Sequence, residues 1–88
     1  MTDQTKEKSD LEKSRDIISQ LKEMLHYSKT NIEKLGEFWF LLDGELKQKE
    51  NANKLDKLIT QQNNFHDDLE SMISDYEIEC NRIENEAS

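Results

Sequence analysis

One apolar repeat constrains this chain more than any other feature. Leu11, Ile18, Leu25, Ile32, Trp39 and Leu46 follow one another every seven residues. Labelled a, they set the matching d positions at Ser14, Leu21, Ser28, Leu35, Leu42 and Lys49, three of which are apolar. Residues seven apart stack on one side of an α-helix, so the repeat describes an amphipathic helix with a coiled-coil-like seam. The two Ser at d are too small to fill that seam, and a regular two-stranded zipper is not expected.

The repeat lapses across KQKENANK, residues 47–54, where Ala52 is the one apolar residue. It then returns out of phase. Leu55, Gln62, Leu69, Tyr76 and Ile83 recur every seven residues, with Ile59, His66, Ile73, Cys80 and Ala87 four further on. Taken as d and a, they define a second amphipathic helix. No proline interrupts either helix, so the strongest helix breaker is absent. The expected fold class is all-α. The expected organisation is a disordered tail at 1–9, a helix at 10–46, a polar loop or phase skip at 47–53, and a helix at 54–86.

Two arrangements compete for those helices. Glu45 with Lys49 and Glu50 with Lys54 have the favourable i,i+4 order, worth a few tenths of a kcal/mol each to one continuous helix. Asn51 and Asn53 favour a turn instead. The e positions are more informative. They hold Arg15, Lys22, Lys29 and Asp43 in the first helix, and Asp56, Asn63, Glu70, Glu77 and Glu84 in the second. In an antiparallel pair e faces e, which sets Arg15 by Glu84, Lys22 by Glu77 and Lys29 by Glu70, with Asp43 facing Asp56. Such pairs select orientation more than they add stability. An antiparallel helical hairpin is therefore favoured over one continuous coiled-coil helix of about 120 Å.

The same registers place Ile17, Met24 and Phe38 at g in the first helix, and Leu58, Phe65 and Met72 at g in the second. Antiparallel pairing brings g beside g. An apolar strip then runs along one side of the hairpin with nothing in the chain to cover it. An a/d/g face is wider than a two-helix seam needs and belongs to helices of larger bundles. Within LGEFWFLLDGEL, the apolar knot at 38–42 adds Trp39, Phe40 and Leu41 to the candidate interaction residues. At 100° per residue, its five apolar side chains point all the way round a helix. Gly36 and Gly44 flank the knot, either to admit a close neighbour or to bend the chain.

Composition limits what such a chain does. Eighty-eight residues with 33% hydrophobic and 36% charged content form one small, surface-rich unit. The net charge of −8 is concentrated in residues 61–88, which carry eight acids against Arg82 alone. That surface repels phosphate backbones, so direct nucleic-acid binding is not expected. It is a solvated face or a match for a basic partner surface. The lone Cys80 fits a reducing compartment, cytoplasmic or nuclear. The start, MTDQTKEKSD, lacks the pattern of a signal peptide. The longest apolar run has five residues against the roughly 20 that span a bilayer, so no transmembrane segment is expected.

Chemistry is not legible. His26 and His66 lack the spacing of a helical metal site, and no Cys pair or phosphate-binding glycine loop occurs. Cys80 and His66 lie about 21 Å apart along one helix, too far to act as nucleophile and base. No catalytic residue, metal or cofactor is expected, and the chain is not read as an enzyme.

The aromatic knot Phe38-Trp39-Phe40-Leu41-Leu42, the acidic composition and the heptad helix over 55–83 resemble small helical coiled-coil subunits of fungal assemblies. These are the biogenesis of lysosome-related organelles complex, in its yeast endosomal form, and the DASH kinetochore complex. The first resemblance implies a scaffold in endosomal trafficking, peripheral on endosomes. The second implies microtubule attachment. The reading that results is a coiled-coil subunit of a multi-subunit protein assembly. Its partners are other helical proteins in a heteromeric bundle, with a homo-oligomer as the other route. A regulatory helix docking on a single globular partner is the alternative.

Overall fold

The computed structural model describes residues 3–87, with side chains from residue 10 onward. With no proline and no glycine before Gly36, the first helix, α1, runs through 38 residues, Asp3–Phe40. The second, α2, runs through 39 residues, Lys49–Ala87. They lie side by side as a hairpin of 64 × 20 × 14 Å, about half the length of the continuous rod.

The reversal is built from a widened helical turn. α1 passes into a π-helical turn, Leu41–Glu45. There the Leu46 N–H donates to the Leu41 carbonyl at 2.8 Å and the Gln48 N–H to the Leu42 carbonyl at 2.7 Å. Between them Lys47 takes a left-handed conformation, φ 53°. Left-handed residues close helix ends by satisfying the last carbonyls, but a side chain there costs about 1 kcal/mol that glycine would not. The Ala52 N–H then donates to the Gln48 carbonyl at 2.9 Å and Asn51 Nδ2 to Gln48 Oε1 at 3.0 Å, which starts α2.

The boundaries differ from those expected. Helix extends back to Asp3, through most of the stretch expected to be a tail, while residues 1–2 lie outside the described residues. Gln4, Lys6, Glu7 and Lys8 are good helix formers, and a helix nucleated downstream adds one hydrogen bond for each residue fixed. The link is residues 46–48 rather than 47–53, and α2 starts at Lys49 rather than 54. Ala52 is the reason. It is 1% exposed and continues the a series one heptad before Ile59, so the apparent gap belongs to the seam. Leu46, expected at a, falls past the helix end and is exposed.

The seam otherwise follows the repeat. Ile18, Leu69, Ile73 and Cys80 form its buried cluster, with Leu11, Leu21, Leu25 and Tyr76 packed against it. Arg15 pairs with Glu84 at 3.3 Å and Lys22 with Glu77 at 2.8 Å. Lys29 and Glu70, the third expected pair, make no ion pair among the described residues.

Candidate interaction surface

Burial divides the hairpin into two unequal halves. The buried cluster lies entirely toward the open end, between Ile18 and Cys80. Toward the turn, Ile32, Leu35, Trp39, Leu42, Leu55 and Ile59 all sit on the seam and are all only half-buried. The same two helices enclose Ile18, Leu69 and Ile73 toward the open end, so the half-burial toward the turn is a local surplus of apolar surface.

The g residues lie outside the seam. Ile17, Met24, Phe38, Leu58, Phe65 and Met72 are each between 45% and 51% exposed. Half of every side chain is thus covered by its own hairpin and half by nothing in this chain. They are also brought together across the two helices. Phe38, Leu58 and Phe65 line one open groove of about 500 Å³. Met24 and Phe65 line the next, of about 410 Å³. Asn31 and Gln62 line both, so the strip carries a polar level at mid-height that its apolar spacing alone does not announce.

The knot is split. Trp39 faces the seam, and its indole Nε1 is buried without a hydrogen-bond partner. Its ring meets Phe40 edge-on at 5.6 Å. Phe40 itself is 73% exposed, the most open large apolar side chain described. Phe40 and Leu41 are exposed, and with Leu46 they give the turn an apolar tip. Gly36 and Gly44 have nothing within 4 Å of where a Cβ would stand, so no contact within the chain requires either glycine.

A polar layer crosses the seam in its middle. Gln62 Nε2 donates to Ser28 Oγ at 2.8 Å, and His66 Nδ1 lies 3.3 Å from the same oxygen. Ser28 is 2% exposed. Read singly, these residues are an undersized d, a polar d and a polar a. The e register would set Ser28 level with Ser71, so the meeting of these three was not legible from the repeat; it comes from the height at which the two helices stand.

The electrostatic surface is one-sided. Arg82, the lone base of residues 61–88, is gripped by Glu79 and Glu86. Its hydrogen bonds, to Glu79 first and then to Glu86, raise its pKa. The acids beyond these keep an uncompensated negative surface on α2. Among the described residues there is no group of three or more His, Cys, Asp or Glu placed to hold a metal ion. No helix among them is long and apolar enough to cross a membrane. No family model matches the chain, and neither a curated protein nor a solved structure matches it.

Proposed function

We propose that this chain is a non-enzymatic, helical-hairpin subunit that works by co-assembling with other helical proteins. One observation carries the reading: a strip of six large apolar residues, each about half exposed and crossed by one polar level at Asn31 and Gln62, beside a seam that stays half-buried toward the turn. Fully burying such side chains is worth roughly 1.5–3 kcal/mol each. A second helical layer would realise the missing half. Contiguous apolar patches of this kind mark interaction surfaces on proteins that remain in solution. The unbalanced acids of α2 favour partner chains less acidic than this one, in a heteromeric bundle. The resemblance in the aromatic knot adds a setting, a scaffold of endosomal trafficking, with a kinetochore complex as the alternative.

Light scattering on the purified chain tests the assembly. Association at micromolar concentration, through the strip, is the expected result; a cooperative, freely soluble monomer would sink the proposal. Affinity purification with mass spectrometry tests the setting, where helical subunits of one trafficking complex are expected. Recovery of kinetochore subunits would move the reading to the alternative.

A further inference from the structure

We propose that the occupant of the strip is a second copy of this chain, laid antiparallel across it to form a four-helix bundle from two hairpins. The proposal rests on the co-assembly reading and names the partner that covers the strip itself.

The strip is symmetric about one level. Asn31 and Phe65 both line both grooves, so they stand at the same height on α1 and α2. One heptad to either side lie Met24 and Phe38 on α1, and Leu58 and Met72 on α2. A two-fold axis through that level, at right angles to the helices, therefore maps the central part of the strip, Met24 to Phe38 and Leu58 to Met72, onto itself and leaves Ile17 outside the interface. It sets Asn31 against the partner's Asn31 and Phe65 beside the partner's Phe65. It lays Met24 over the partner's Phe38 and Met72 over the partner's Leu58. Two-fold interfaces require this reciprocity, residue i on j and j on i. The unbranched methionines fill the groove of about 500 Å³ beside Phe38 and Leu58. An Asn at the axis satisfies its amide against its own copy and penalises any slip of register, as a single buried Asn does in coiled coils.

Charge agrees with the same rotation. The c positions bordering the strip on α2 are Lys54, Gln61, Asp68 and Asp75. Rotation sets Lys54 beside the partner's Asp75, twice per dimer, and Gln61 beside the partner's Asp68. Residues 70–81 then run along the beginning of the partner's α2, which bears Lys49, Lys54 and Lys57, and only 61–69 run along their own copy. The elongated hairpin exposes 7081 Å², about 1,700 Å² more than a compact monomer of 10.4 kDa, which leaves room for the roughly 800 Å² that each partner gives to a standard interface. Acids left on the outer faces remain for other partner chains.

The test uses the full chain in sedimentation equilibrium and oxidative cross-linking. A mass of twice 10.4 kDa is expected. Asn31→Cys in a Cys80→Ser background is expected to form an interchain disulfide readily, while Glu23→Cys, on the outer face, does not. Lys54→Glu and Asp75→Lys are each expected to weaken the dimer about tenfold, and the double exchange to restore it. Positions 23, 31, 54 and 75 lie outside the seam, and circular dichroism of the Cys80→Ser parent, whose change falls in the buried cluster, checks that the hairpin itself stays intact. A dimer that neither cross-links at 31 nor recovers in the double exchange overturns this arrangement. A chain that is ill-folded alone yet forms a stoichiometric complex with a different helical protein overturns the self-pairing and leaves the co-assembly reading standing. A cooperative monomer overturns both.

Discussion

Gln62 donates to Ser28 Oγ at 2.8 Å across the middle of the hairpin, from d to d of the two helices. The bond turns two weaknesses of an apolar seam into a single register mark. Sliding α2 by one heptad would bury the Gln62 amide against an apolar side chain and leave Ser28 and His66 without each other. Buried polar groups cost far more unpaired than they return when paired, so this layer acts chiefly against wrong pairings.

Ser28→Ala removes the oxygen shared by Gln62 and His66. Urea unfolding is expected to show a loss of about 1 kcal/mol, the net worth of a hydrogen bond whose remaining partners are half-buried and reach water. Replacing all three members with apolar residues is expected to recover most of that stability. The recovered variant should populate more than one register in the cross-linking described next.

Cysteines in place of Arg15 and Glu84, with Cys80 replaced by Ser, report the hairpin directly. Arg15 and Glu84 stand 3.3 Å apart through their side chains, so a short bifunctional maleimide is expected to join them within one chain. Peptide mapping that finds only interchain products, in a helical sample, would contradict the hairpin. Replacing either charge with Ala should change stability by about 1 kcal/mol or less, because both groups are exposed.

Trp39 sets volume against polarity. Its Nε1 is buried and unpartnered, so Trp39→Phe removes an unmet donor along with part of the ring. The unfolding free energy is expected to stay within about 1 kcal/mol of the parent. Trp39→Ala is expected to cost about 3 kcal/mol or more, through the cavity it leaves.

Two backbone positions are open to improvement. A Cβ at Gly36 meets nothing within 4 Å, so Gly36→Ala should raise thermal stability by up to about 1 kcal/mol in free-energy terms. Lys47→Gly relieves the left-handed φ of 53° and should add about 1 kcal/mol. A gain from Gly36→Ala combined with loss of assembly would identify Gly36 as a point of close approach.

Phe38→Ser and Phe65→Ser test the strip without opening the seam. Both side chains are about half exposed, so helix content by circular dichroism should hold. The assembled mass in light scattering should fall toward that of one chain. An unchanged mass would remove the strip from any interface.

Much of this was legible before the fold was known, because a helix converts sequence spacing into spatial position almost without loss. The seven-residue repeat fixes which residues share a face, and the e charges name Arg15 with Glu84 and Lys22 with Glu77. Both pairs form. Boundaries were less legible. Ala52 looks like a stray apolar residue among polar ones until α2 turns it inward, and propensity alone does not say that residues 3–9 continue a helix nucleated after them.

The sequence by itself determined an all-α chain, its two seams and the surplus of apolar face. These follow from periodicity, a local property. Only the tertiary structure decided where the chain reverses, that Trp39 is half-buried with its Nε1 covered while Phe40 and Leu41 are exposed, and that Ser28, Gln62 and His66 meet. It also set Asn31 level with Phe65. Each of these depends on the height at which one helix stands against the other. That height is fixed by the π-helical turn at Leu41–Glu45 and the left-handed Lys47, and no repeat within either helix encodes it.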